Sequence, residues 1–250
     1  MSKDGRIWLS HTGIENLNRC PRCFFLQYKK NIRHPEGIVS RLANRFDSVL
    51  KTYFDQYRTS GKLPELVLGK LEGQLQNPFQ EKYYARINDN YGFWGKLDEC
   101  LVNEKGEFIP VDFKTASSDP REKEVLSAYQ AQIDDYIFLL NKDGKKTAGF
   151  GYLIFVFPDN GNNLHNGFPM IIHIVKLEGN PDKTTERINN AITVLESSSI
   201  PEPLPTCPFC SWLDRINLEI KNPFLMETIS VKSRHRNKKK TDNNIQTSII

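Results

Sequence analysis

Two short motifs, "CPRC" at 20–23 and "CPFC" at 207–210, stand near opposite ends of a 250-residue chain. Each has the C-x-x-C spacing that lets two thiolates grip one tetrahedral ion. If both pairs serve one ion, the chain must fold so that its first helical segment and its end meet. That condition excludes most open arrangements. The bland alternative is two unrelated pairs of reduced thiols. A thioredoxin-like motif needs a single C-x-x-C opening a helix in a βαβ unit, and neither pair has that context. In a reducing compartment such pairing favours metal chemistry over disulfides. Two C-P-x-C knuckles look like a zinc site, with Cys20, Cys23, Cys207 and Cys210 as ligands. Cys100 stands alone after Glu99 and reads as a packing residue.

Hydrophobic residues make up 38% of the chain and charged residues 26%, enough for a packed core. No apolar run approaches the ~20 residues of a membrane span. The opening "MSKDGRIWLSH" lacks the apolar core of a secretory signal. These features lead us to expect a cytoplasmic protein without a membrane partner. The net charge is +4, and the segment from Glu227 onward, with six Lys or Arg against Glu227 and Asp242, accounts for all of it. Residues 1–226 are therefore formally neutral, which does not fit a uniformly basic nucleic-acid binder but permits a local basic groove. We expect one domain over 1–226 and a basic, disordered tail over 227–250.

Along the chain, Ser10 is placed to cap a short helix ending near Cys20-Pro21, and "PRCFFLQYKK" follows as an aromatic-rich segment. Residues 40–61 show helical spacing of Leu42, Phe46, Val49, Leu50 and Tyr53, and a further helix is expected over Leu63 to Gln76. Then the pattern changes. Three β-rich runs are separated by the turn signals "NDNYG" and "NEKGE", which predicts a meander. A helix over 127–144, strands in "AGFGYLIFVFP" and "GFPMIIHIVKL", and a helix begun by Asn180-Pro181 complete the plan. This order of elements predicts an α+β (α/β) fold, a central mixed sheet flanked by helices.

The run "IPVDFKTAS" (109–117) places Asp112 and Lys114 two positions apart in a strand, so both project from one face while Val111 and Phe113 face the other. A solvent-facing ion pair would also explain them, and such pairs contribute only about 0–1 kcal/mol. Asp98, however, lies in the preceding apolar run "FWGKLDECLV". If the two runs are antiparallel neighbours, the "NEKGE" turn brings Asp98 and Asp112 together. Two close carboxylates repel unless a cation sits between them. Mg²⁺, which takes hard oxygen ligands, is the obvious candidate. A lysine beside such an ion can orient a water molecule and stabilise charge developing on a phosphoryl group. In "QIDDY", Gln132 and Tyr136 share a helix face at i and i+4, although a Tyr at that spacing often serves packing alone.

"GKLDE", then "VDFKT", then "QIDDY" resemble the three ordered motifs of the RecB-like branch of the PD-(D/E)XK nucleases. The N-terminal "LSHTGIENLNRCPRCFFLQYKK" is similar to the opening of that family's four-cysteine members, among them the exonucleases of CRISPR adaptation and AddB-type nucleases. The resemblance spans roughly residues 8–214. It implies a restriction-endonuclease-like core and metal-dependent hydrolysis of DNA in repair, recombination or defence. It implies Asp98, Asp112 and the Phe113 carbonyl as ligands of Mg²⁺ or Mn²⁺, with Lys114 positioning the attacking water. Gln132 and Tyr136 would contact substrate phosphate or brace the site. The expected partners are DNA, single-stranded or with free ends, and a helicase or other repair or defence protein.

At the cysteines the resemblance implies a [4Fe–4S] cluster, which also takes four thiolates. Its members supply one cysteine from the N-terminal side and three from the C-terminal side; this chain supplies two and two. Cys20, Cys207 and Cys210 match family positions, and Cys23 would stand in for the fourth. Members often carry a metal-binding His on the long helix before the strands. The counterpart here is Asp47, which could ligate the metal or face solvent. That departure opens a second reading, a nuclease-derived DNA-binding or accessory subunit without turnover.

Overall fold

The computed structural model describes residues 5–35, 41–121, 123–161 and 167–221. The basic segment 227–250 lies outside the described residues. The chain divides into two compact units, Met1–Glu202 and Pro203–Ile250.

The first unit is mixed α+β. It begins with strand β1 (Ile7–Ser10) and helices α1 (His11–Arg19), α2 (Pro21–Lys30) and α3 (Arg41–Asp55). The Ser10 side chain caps α1 by accepting from the Gly13 N–H at 3.2 Å. The short strand β2 (Gln74–Leu75) leads to β3 (Lys82–Arg86), β4 (Tyr91–Lys96), β5 (Glu99–Val102) and β6 (Phe108–Thr115). Helix α4 (Ser127–Lys142), strands β7 (Phe150–Pro158) and β8 (Met170–Glu178) and helix α5 (Pro181–Leu195) complete the unit. The second unit contributes α6 (Pro208–Lys221).

The strands divide between two mixed sheets rather than forming the single sheet expected. One has the order β1-β4-β3, the other β2-β5-β6-β7-β8. The separation occurs at Leu97–Asp98, where the chain leaves β4 and bends before β5. Strand β6 pairs antiparallel with β5 and parallel with β7, and α4 forms the crossover between β6 and β7.

Central strands read as continuous apolar runs because both of their faces are covered. In β7, Leu153, Phe155 and Phe157 join the core under α4, while Tyr152, Ile154 and Val156 join a second core on the opposite face. Strand β6 follows the same alternation. Val111 and Phe113 pack into the second core beside Leu50 and Phe54 of α3, with the Phe54 and Phe113 ring centroids 4.9 Å apart. Asp112 and Lys114 are thereby turned toward α4. The apolar pattern thus fixes the register that aims both polar side chains at one place.

Candidate functional site

Asp112 is 1% exposed. Its Oδ1 accepts from Gln132 Nε2 at 2.8 Å and lies 3.1 Å from the Tyr136 hydroxyl. Its Oδ2 meets Lys114 Nζ at 2.5 Å as an ion pair, without the directed geometry of a hydrogen bond. Lys114 also donates to Gln132 Oε1 at 2.7 Å, and its Nζ lies 4.7 Å from the centre of the Tyr129 ring. Gln132 donates from Nε2 to the Tyr136 hydroxyl at 2.6 Å. The Tyr136 oxygen is 3.0 Å from the Lys96 carbonyl, so its single proton is shared between that acceptor and Asp112. Four residues singled out from the sequence, on one strand and one helix, therefore form one connected polar group.

Asp98 reaches the group differently from the sequence expectation. It sits at the bend between β4 and β5, not inside a continuous strand. The β5–β6 register pairs Glu99 with Val111, so one further step brings Asp98 opposite Asp112. The ladder ends there, and the Asp98 side chain takes over: its Oδ2 accepts from the Phe113 backbone N–H at 3.0 Å. The bend is held on its other side by Glu99, whose buried carboxylate accepts from Arg58 at 3.0 and 2.7 Å.

Asp98 Oδ1 pairs with Lys51 Nζ at 2.7 Å, and Lys51 also donates to Asp47 Oδ2 at 2.9 Å. Asp47 thus faces the site through a lysine one helical turn further along α3. Sequence reading singled out Asp47 and missed Lys51, although the i, i+4 Asp–Lys spacing was there to be read.

The charges act on one another. Burial pushes the Asp112 carboxyl up to about 6; the Lys114 charge opposes this and the Asp98 charge adds to it. Tyr136 is held well above the ordinary phenol range by burial and by the two carboxylates. Burial works against the charge on Lys51, but its bonds to Asp98 and Asp47 and their negative charges outweigh it, so its pKa is raised. Three carboxylates here hold two ammonium groups in place. These are hard-oxygen donors of the class that divalent cations take, and here they are engaged with ammonium groups.

The cysteines form a separate centre. The sulfur atoms of Cys20, Cys23, Cys207 and Cys210 lie within 4.8 Å of one another, and all four residues are buried. This is the geometry for a metal ion or cluster held by four thiolates. Among the described residues no set of three or more aspartates, glutamates or histidines is gathered as tightly. Cys100 packs in the core, as its solitary position suggested, and burial beside Glu99 pushes its thiol up to about 12.

No helix among the described residues is long and apolar enough to cross a membrane. No family model matches the chain, and no curated protein matches it. Among solved structures, it is similar to the protein SSO0001, at 15% identity over 77% of this chain and 78% of that one, with a TM-score of 0.43. It is also similar to LHK-Exo in complex with dAMP, at 10% identity over 87% of this chain and 94% of that one, with a TM-score of 0.35. Across such distances a shared outline says nothing of shared chemistry, and function must be sought in the site's own residues.

Proposed function

We propose that this chain is a metal-dependent nuclease of the PD-(D/E)XK type that hydrolyses DNA phosphodiester bonds. The observation that carries this reading is the connected group of Asp112, Lys114, Gln132 and Tyr136, with Asp98 fastened to the same strand at Phe113. Asp98 and Asp112 would hold Mg²⁺ or Mn²⁺, helped by the Phe113 carbonyl. When bound, that ion supplies charge neutralisation and Lewis-acid polarisation of the phosphoryl group.

The chain's own residues do the rest. Lys114 donates toward the attacking water and stabilises negative charge on the phosphoryl oxygens. Gln132 fixes the amine and the carboxylate relative to each other by bonding both. Tyr136 anchors the Asp112 carboxylate to the end of β4 through the Lys96 carbonyl. In this reading the four cysteines hold a [4Fe–4S] cluster or Zn²⁺, residues 1–226 act as the nuclease domain, and any unwinding comes from a helicase or another repair or defence protein.

The direct test is incubation of labelled single-stranded and duplex DNA with the purified protein and Mn²⁺, against an EDTA control and Asp112→Ala. Metal-dependent cleavage lost in the variant is expected; cleavage that survives both the variant and EDTA rejects the assignment. The pH profile adds a second expectation. Asp112 must be ionised to hold a cation, and its carboxyl is raised to about 6. At subsaturating Mn²⁺, where proton and cation compete for this carboxylate, activity should therefore fall on the acid side of about 6 rather than near the ordinary carboxylate range. The sign is opposite for stability: ionising Asp112 in the metal-free protein destabilises the fold as pH rises through the same region.

A second reading, a DNA-binding subunit without turnover, is favoured by one observation. Lys51 already pairs with both Asp98 and Asp47. If the metal must displace that ammonium, Lys51→Met tightens Mn²⁺ binding by about fivefold, the worth of a partly exposed ion pair. Calorimetric titration measures it. A chain without turnover need bind no ion in either form.

A further inference from the structure

The β1-β4-β3 sheet has an outward face unlike that of an ordinary half-buried sheet, whose solvent side is polar. Register places Trp8 beside Gly92, Ser10 and Tyr84 beside Trp94, Arg86 beside Gly92, and Lys82 beside Lys96. These even-numbered residues share one face, because Leu9, Tyr83, Ala85, Tyr91 and Phe93 fill the core on the other. The rings are ordered against one another. Trp8 meets Tyr84 edge-on at 5.5 Å, and Tyr84 stacks on Trp94 at 6.1 Å with planes 16° apart. A Cβ on Gly92 would fall 2.5 Å from the Trp8 ring, so glycine there lets the indole lie flat across β4. Yet Tyr84 is 56% exposed.

The charge around the rings is positive. Lys82, Arg86 and Lys96 are exposed on the same face. Lys96 pairs with Glu81 at 2.7 Å, and Asp89 lies in the β3–β4 turn; Lys82 and Arg86 form no ion pair among the described residues. Flat aromatic groups alternating with cations suit unpaired bases on a phosphate backbone. A protein partner would be matched by rings but has no need of this charge pattern.

Position supplies the last argument. Strand β4 carries Trp94 and Lys96 on this face and then bends into Asp98, at most about 13 Å from Trp94 along the chain. The Lys96 carbonyl already receives the Tyr136 hydroxyl of the proposed active site.

We infer that Trp8, Tyr84 and Trp94, flanked by Lys82, Arg86 and Lys96, form a stacking platform for single-stranded DNA that delivers the strand to Asp98 and Asp112. Delivery to Asp98 and Asp112 rests on the nuclease reading; the binding itself can be measured apart from cleavage. The test is fluorescence anisotropy of a labelled oligothymidylate with the full chain in EDTA, where no cutting occurs. Tyr84→Ala should weaken binding about 5- to 100-fold, the loss of one stacked base, while Tyr84→Phe, which keeps the ring, binds like wild type. Lys82→Ala/Arg86→Ala should lower the slope of log affinity against log salt by about one to two. Duplex affinity should change far less in the tyrosine variants. Equal oligothymidylate binding by Tyr84→Ala and wild type overturns the platform, as does an equal loss for single strand and duplex. Circular dichroism checks folding, and Tyr84→Leu serves in the same comparison if the alanine variant is misfolded. Metal-dependent cleavage with no effect of Tyr84 defeats this inference alone. A stacking effect in a protein that never cuts defeats the nuclease reading alone.

Discussion

Replacing Lys114 by alanine is expected to lower turnover on DNA by about 10²- to 10³-fold, the scale of removing one donor that meets developing charge. At alkaline pH, where Asp112 is ionised in both proteins, Mn²⁺ affinity should stay the same or tighten, because the lost group is a cation beside the ion's carboxylates. The geometry gives Lys114 no structural substitute. Its Nζ is held between Asp112, Gln132 and the Tyr129 ring, and its side chain is only 17% exposed. Removing it also leaves Asp112 buried without its nearest positive charge, so the carboxyl should hold its proton to still higher pH. The acid limb of the pH–rate profile must then move upward in the variant. That shift follows from the lost charge in any role; a purely structural lysine would in addition lower activity, melting temperature and Mn²⁺ affinity together, whereas one that meets developing charge lowers turnover and leaves the Mn²⁺ site intact. Steady-state rates across pH, with Mn²⁺ titration of the same samples, separate the two.

The second large effect concerns the cysteines. Cys207→Ser is expected to release the bound metal and to lower the melting temperature by about 10 °C or more. Structural ions held by thiolates stabilise a fold by several kcal/mol, and a chain of this size shifts about 2–4 °C per kcal/mol. Four buried sulfurs within 4.8 Å of one another would repel as thiolates without an ion to share. Elemental analysis of anaerobically purified protein and its visible absorption distinguish iron–sulfur from zinc, and thermal unfolding gives the stability. Cys20→Ser should behave the same way. Unchanged metal content and melting temperature in both variants would remove the centre's structural role.

Much of the site was legible because strand and helix periods are rigid. Two-residue alternation in "VDFKT" puts Asp112 and Lys114 on one face, and four-residue spacing in "QIDDY" puts Gln132 and Tyr136 on another; the structure joins them by direct hydrogen bonds. The C-x-x-C spacing was equally readable, and the four sulfurs do gather. Other features depend on tertiary partners that no local pattern carries. Strand β1 is four residues long and exists because it pairs with β4 across more than eighty residues of chain. The break at Asp98 is invisible in an unbroken apolar run; it comes from the chain passing between two sheets, with the Leu97 N–H bonded to the Glu81 carbonyl and Asp98 bonded to β6. The helix expected over Leu63–Gln76 does not form. Gly69 and Gly73 adopt positive φ, and the segment instead makes one 3₁₀ turn at Glu65–Val67 and the short strand β2.

Lys51 shows a different limit. Its spacing from Asp47 was plain, yet its meaning lies in the second partner, Asp98, contributed from another element. Charge pairing across elements needs the fold before it can be read.

The central claim is that Asp98 and Asp112 share one divalent cation. Titration of the purified wild-type protein with Mn²⁺, followed by electron paramagnetic resonance of the free ion, tests it without reference to any substrate. A saturable Mn²⁺ site is expected in the wild type, lost in both Asp98→Ala and Asp112→Ala and retained in Gln132→Ala. Mn²⁺ binding that is equally strong in wild type and both aspartate variants, or absent from the wild type, would contradict it.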